Sequence, residues 1–561
     1  MLCPKHVVVF VSFLLMRAQA QTVITLAGGS SSGTTTGSIN GVGTAALFNN
    51  PRGVAMDTSG NVIVADYNNH KIRLIYPNRT VITLAGGSSS GSTGGSTDGV
   101  GTAALFWNPC GVAVDTSGNV IVADQLNHKI RLIYPNRTVV TLAGGNSSGT
   151  ISGFNDGVGT AALFSNPTGV AVDTSGNLYV ADRNNHKIRL IYPNLTVITL
   201  AGGSTAGASS GSTNGVGSAA LFNRPSSVAV DTSGNVIVAD QLNHKIRLIY
   251  PNLTVITLAG GSTAGTASGS TNGVGTAALF GEPAGVAMDI SGNVIVADQL
   301  NHKIRLIYPN LTVITLAGGS TAGTASGNTN GVGTAALFWK TSGVSVDTSG
   351  NVIVTDINNH KVRLIYPNLT VITLAGGSTS GALSGSTNGV GTAALFLNPT
   401  SVAVDTSGNV IVADVSNDKI RLIFPFTCPP GTYANFTSRS CVLCLLGSFS
   451  NAINAESCSL CPGGSFAKPY GSTSCDVCPA GHACPPGTSS WARLNCGRGN
   501  YCPDGSADPI PCPILIVPVP YASWATHPLT AQGPAFLVET SSCLNHCFWN
   551  FTSGDGMLSK C

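Results

Sequence analysis

The chain has 561 residues, of which 9% are charged and 69 are glycine, and a formal net charge of +3. So little charge with so many turn-forming residues speaks for many short elements joined by turns, an all-β repeat protein. Lysine and arginine recur at fixed positions beside aspartate rather than in clusters, which argues against nucleic acid as a partner.

At the N-terminus, Lys5 and His6 precede an apolar run at 7–16, then Ala18, Gln19 and Ala20. These are the three regions of a secretory signal peptide, so residues 1–20 are expected to be removed after Ala20. The run is too short to cross a bilayer, and the later apolar stretch at 514–524 is broken by Pro518 and Pro520. No direct membrane span is therefore expected in this chain.

From residue 21 the chain repeats. An aspartate closes an apolar run at Asp66, Asp124, Asp182, Asp240, Asp298, Asp356 and Asp414, each 58 residues from the last. Fixed periods of this kind mark repeat architectures. Each repeat holds four runs rich in Val, Ile, Leu and Thr, at 53–57, 62–66, 71–76 and 80–85 in the first, and these predict four antiparallel strands. Turn residues separate them: Thr58 to Asn61, Asn68-Asn69 and Pro77-Asn78. Val62 to Ala65 are apolar on both alternating faces, so each sheet must be covered on both sides, as blades of a propeller are. The chain opens with a lone fourth strand at 22–27, and its seventh repeat stops after the third strand at 419–424. Together these complete one blade, which predicts a closed seven-bladed β-propeller over 21–425 with no open blade edge.

The repeat resembles the NHL family in its Gly-Val-Ala-Val-Asp and Gly-Asn-Val-Ile-Val-Ala-Asp segments, and in Asn69-His70-Lys71, Asn127-His128-Lys129 and their equivalents through Asn359-His360-Lys361. The seventh repeat departs, with Asn417-Asp418-Lys419. The resemblance implies the propeller fold. It does not select an activity, because proteins of this fold include protein- and RNA-binding modules as well as lyases and lactonases.

Six equivalent histidines, His70, His128, His186, His244, His302 and His360, invite a reading as metal ligands. Ligands must converge on one ion, whereas these lie on separate blades, so they read as scaffold and no metal or other cofactor is expected. Asp57, Asp66, Lys71 and Arg73 read likewise, as ion pairs and capped turns. A ligand without sevenfold symmetry needs contacts that differ between repeats. The variable residues precede each first strand, in loops joining adjacent blades, and the best candidates for a binding face are Arg52, Trp107, Arg224, Glu282, Trp339 and Lys340. The turn pairs Tyr67-Asn68, Gln125-Leu126, Arg183-Asn184, Gln241-Leu242, Gln299-Leu300, Ile357-Asn358 and Val415-Ser416 rank second. Each inter-blade loop also carries a Gly/Ser/Thr-rich stretch, expected to be mobile, and an Ala-Ala-Leu-Phe end expected to dock on the blade. Asn-X-Thr sequons recur at Asn78, Asn136, Asn194, Asn252, Asn310 and Asn368, on turns at the opposite end of the blade, and Asn146, Asn435 and Asn550 also qualify as glycosylation sites.

Cysteines concentrate after the repeats: Cys428, Cys441, Cys444, Cys458, Cys461, Cys475, Cys478, Cys484, Cys496, Cys502, Cys512, Cys543, Cys547 and Cys561. Such CXXC pairs serve zinc inside a cell, but at this density in an exported chain they predict disulfides, which replace a core that segments this short cannot bury. The spacing over 428–512 resembles ephrin-receptor-like cysteine-rich modules, with Cys444 joined to Cys458 and Cys461 to Cys475 as the expected pattern; residues 513–561 match no recognised module. Cys110 stands alone in the propeller, as a reactive or intermolecular thiol or a buried small residue.

Two functions follow as expectations. One is a secreted, non-enzymatic binding, adhesion or scaffold protein whose partner is an extracellular protein or glycan. The other is an enzyme resembling propeller lyases or lactonases, which needs unrepeated acid–base groups at the channel; outside the repeated set the propeller offers no further histidine, and Glu282 is its only glutamate.

Overall fold

The computed structural model describes residues 21–511, apart from 30–32, 89–90, 147–148, 205–206, 263–264, 321–322, 379–380, 425–427, 436–439, 453–454, 456, 493 and 498–499. Residues 1–20, expected from sequence to be a signal peptide, and Cys512, Cys543, Cys547, Cys561 and Asn550 lie outside the described residues. The chain divides into two compact units, Met1–Phe426 and Thr427–Cys561.

The first unit is an all-β propeller of seven antiparallel sheets. The second blade is representative. Pro109–Val114 forms its inner strand, followed outward by Val120–Asp124, Lys129–Ile133 and Thr138–Ala143. Each blade has one strand more than the sequence suggested. Gly99–Val100, which precedes the inner strand in the chain, pairs with Thr138 and Val139 on the outer edge, making a sheet of five. Two residues in a glycine-rich stretch carry no alternation of apolar and polar side chains, so nothing in the sequence marks them as a strand.

The second strand is buried along its whole length because both its faces are covered. Ile63 and Ala65 of the first blade pack with Val120 and Val122 of the second, and Phe106 from the intervening loop fills the same cluster. The Ala-Ala-Leu-Phe end therefore docks as its apolarity requires. The preceding Gly/Ser/Thr-rich stretch is tied down in its described part: Gly95 N–H bonds to the Phe106 carbonyl and Leu105 N–H to Thr97.

Ring closure uses the two ends of the repeat array. Thr22–Ala27 pairs with Lys419–Phe424, from Thr22 opposite Phe424 to Ala27 opposite Ile420, with one bulge, and on its other side with Val390 and Gly389.

In the second unit, short hairpins carry the disulfides. Thr432–Asn435 pairs with Ser440–Leu443, and Ser448–Phe449 with Ser459–Leu460. Among the described residues five disulfides join Cys428 to Cys441, Cys444 to Cys458, Cys461 to Cys475, Cys478 to Cys484, and Cys496 to Cys502. The first three close loops of 13 or 14 residues, as a module repeat demands, and the last two close loops of six. Closing short loops restricts the unfolded chain where the apolar clusters are as small as Phe466, Cys478 and Cys484.

Candidate functional site

The repeated residues build the loops that carry the variable ones. Asp124 is fully buried and accepts three kinds of bond: from Trp107 N–H at 2.8 Å, from Asn127 Nδ2 at 2.7 Å and from the Arg131 guanidinium at 2.9 Å. Arg131 in turn lies over the Phe106 ring, 4.9 Å from its centre, and donates to the Thr97 carbonyl and to Asp98. The same ion pair recurs in all seven blades, from Asp66–Arg73 to Asp414–Arg421. Burial raises these carboxyls against the pull of their arginines, to about 6 in Asp182, Asp240 and Asp356. The repeat lysine behaves differently from the expected ion pair: Lys71 Nζ donates to the Ser88 carbonyl, capping the next loop.

The histidine of each Asn-His-Lys element joins neighbouring blades. It sits in the left-handed region, with φ of 58° at His128, and its Nδ1 accepts the backbone N–H of Asn166 in the following blade at 3.1 Å. His70, His186, His244, His302 and His360 do the same for Asn108, Arg224, Glu282, Lys340 and Asn398. At the seventh joint, where the ring closes, Asp418 replaces histidine. Its Oδ1 accepts Asn50 N–H at 2.7 Å and its Oδ2 the Thr36 hydroxyl at 2.6 Å. Among the described residues no three of His, Cys, Asp and Glu are placed to hold a metal ion.

The inter-blade loops and the turns after the second strands come together on one end of the propeller: Leu126 N–H bonds to the Trp107 carbonyl, and Asn68 N–H to Asn49. Of the six candidates named from sequence, Arg52 alone enters the cavity at the central channel mouth on this end, which has a volume of about 410 Å³. It is lined there with Gln125, Arg183, Cys110, Thr168 and Ser226, and by Ser342 and Ser401 across the ring. Trp107 and Trp339 are 42% and 43% exposed on the second and sixth blades and do not line the cavity. Nor do Arg224, Glu282 and Lys340, whose positive φ of 51°, 47° and 63° places them at the histidine joints. Arg52 is the only one of the six at the second position of its inner strand. The residues at that position in the other blades, Cys110, Thr168, Ser226, Ala284, Ser342 and Thr400, also vary, and four of them line the cavity, so this variation is the signal by which the sequence marks the lining.

Arg52 lies over the Tyr67 ring at 3.6 Å and donates from Nε to Asn50. Arg183 is half-buried and donates to Gln241 Oε1 at 2.9 Å. Burial and the neighbouring Arg224 charge lower its pKa, against Cys110 and Glu282. The Cys110 thiol is free and faces the Pro167 and Thr168 carbonyls at 3.7 and 3.8 Å; burial pushes its pKa up to about 12.

Asn78, Asn136, Asn194, Asn252, Asn310 and Asn368 are exposed at the opposite end, on the turns between third and fourth strands, where each side-chain oxygen caps the threonine N–H two residues on. Asn146 and Asn435 border residues outside the described set.

Residues 34–250 match the teneurin NHL domain, and residues 431–478 match the region named for tyrosine-protein kinase ephrin type A/B receptor-like sequences. The chain is 32% identical over 283 residues to the Arabidopsis thaliana protein SUPPRESSOR OF QUENCHING 1, chloroplastic, covering 47% of this chain and 25% of that one. It is 29% identical over 348 residues to human NHL repeat-containing protein 2, covering 56% of this chain and 46% of that protein. The chain thus spans less than half the length of these curated relatives. Among solved structures a streptogramin B lyase superposes with a TM-score of 0.46 at 9% identity, over 72% of this chain and 98% of that one, a likeness from which nothing about activity follows. Repeat, ring and cysteine spacing agree with the two matched domains: the chain is an NHL-repeat β-propeller followed by an ephrin-receptor-like cysteine-rich region.

Proposed function

We propose that this is a secreted, non-enzymatic recognition protein that uses the loop-bearing end of its propeller to bind an extracellular protein or glycan, with the cysteine-rich region as spacer. One observation carries the reading. The variable loop residues Arg52, Trp107, Arg224, Glu282, Trp339 and Lys340 gather on one end of the ring, while the repeated sequons, two of them containing Arg79 and Arg137, occupy the other, so glycans added on export would leave the loop-bearing end open. Half-exposed tryptophans and arginines are the residue types that dominate binding energy at interfaces. The disulfides favour an oxidising compartment. The repeated histidines and aspartates are committed to joints and loops, which leaves few acid–base groups for an enzyme.

The test is to express residues 21–561 through a secretory pathway and screen them on arrays of glycans and extracellular proteins beside a Trp107→Ala/Trp339→Ala double variant. Capture that the variant loses supports the face; capture unchanged by it moves the binding site elsewhere.

A further inference from the structure

The channel mouth carries two arginines that are not part of the repeated ion pairs. Arg52 and Arg183 both line it, and neither takes part in any ion pair among the described residues, whereas every repeat arginine in the third strands has its aspartate. Their hydrogen bonds go to neutral carboxamides, Asn50 and Gln241, which leaves other guanidinium N–H groups for a ligand. Arg183 is half-buried, so its charge is poorly solvated and an incoming anion would lower that cost. The geometry also breaks the ring's symmetry, because the positions equivalent to Arg52 on the other six blades carry no charge.

The remaining wall is polar and small. Gln125, Thr168, Ser226 and Ser342 bring a carboxamide and hydroxyls, and among the glycines at the next position Gly53, Gly111 and Gly169 line the cavity, exposing peptide groups. No aromatic ring lines the cavity. A volume of about 410 Å³ lies within the range of small-molecule sites and suits one or two sugar rings. Guanidinium groups recognise carboxylates through paired, charge-assisted bonds, and a wall of hydroxyls, amides and peptide groups matches a polyhydroxylated ring better than an acidic peptide side chain, which brings only its carboxylate.

We infer that the channel mouth, lined by Arg52 and Arg183, binds an acidic sugar, with its carboxylate drawn to this arginine-bearing wall and its hydroxyls on the serine, threonine and glutamine side chains. This rests on the proposal that the loop-bearing end is a recognition surface, and names the ligand class for its centre.

The experiment titrates the full secreted chain with sodium glucuronate, glucose and N-acetylaspartate by calorimetry or ligand-observed NMR. Glucuronate is expected to bind at least about tenfold more tightly than either of the others, and Arg183→Gln and Arg52→Gln each to weaken it by about tenfold, as loss of a hydrogen bond to a charged group does. Arg52 is exposed, so its variant should keep the parent melting temperature and tests the site even if Arg183→Gln perturbs the fold. Equal binding of glucose, equal binding of N-acetylaspartate, or variants with unchanged affinity would each overturn the inference. If glucuronate fails while the arrays still show capture that depends on Trp107 and Trp339, the recognition proposal stands and the acidic-sugar site falls. Glucuronate binding that depends on the arginines, without any array capture, upholds the site and removes the wider face.

Discussion

Seven buried aspartates and seven buried arginines would be costly alone, and each repeat resolves the cost by giving every carboxylate an arginine, an asparagine and a loop N–H. Removing one member of such a pair leaves an uncompensated buried charge, a loss of about 3–5 kcal/mol. The histidines act at a smaller energy but introduce pH dependence. Each Nδ1 is an acceptor, so protonation there removes an inter-blade bond. Burial lowers the pKa of all six, including His128, below the usual 6.5. The unfolded chain then binds more protons than the native one as pH falls through 6.5, so their stabilisation is complete above that value and is lost toward the lower folded pKa. The aspartates with pKa raised to about 6 work in the opposite sense, gaining stability as pH falls from 6 toward 3.8. His128→Asp isolates the histidine, since the protein already makes this joint with Asp418. Its melting temperature should fall less than the parent's between about pH 7.5 and pH 5.5 in parallel thermal melts; an identical fall in both would remove His128 from the pH response.

The four main strands of each blade were legible because their composition, spacing and turn residues all agree. The edge strand and the channel lining were not, because both depend on what lies opposite. Inner strands of adjacent blades approach so closely that a methyl group on Gly111 would sit 2.1 Å from the Thr168 carbonyl oxygen, and one on Gly169 2.9 Å from that of Ser226. These glycines serve close approach rather than unusual backbone angles. Gly111→Ala should therefore push two inner strands apart and cost roughly 1–3 kcal/mol in denaturant unfolding, with Gly169→Ala costing less. Equal costs would mean that the strands relax freely. Arg183 ranked behind the loop residues for the same reason: a turn residue looks peripheral until the ring curvature turns it toward the channel that Arg52 also lines.

Across the molecule, closure and covalent stapling are divided between the two units. The propeller closes by pairing Thr22–Ala27 with Lys419–Phe424 and by the Asp418 joint, while all five described disulfides lie between Cys428 and Cys502. Mild reduction should thus open the cysteine-rich region to proteolysis and leave the melting transition of the propeller within about 2 °C of its oxidised value, read by differential scanning fluorimetry with gel analysis. A large drop in the propeller transition would show that the two units support each other. The half-buried Cys110 thiol should not alter that comparison, because the thiolate is the reactive form and a pKa pushed up to about 12 leaves little of it at neutral pH.

By itself the sequence determined the number of blades, the order of the four main strands within them and the way the ring closes, because a 58-residue period with a displaced first strand brings the two ends of the array together in one blade. It also marked the cysteine modules, whose loops are local enough for spacing alone to be informative. Only the tertiary structure decided which variable residues share a cavity. Residues on different blades meet through the curvature of the ring and the packing between sheets, and Arg52, Gln125 and Arg183, spread over three repeats, come to line one cavity only once the blades are stacked.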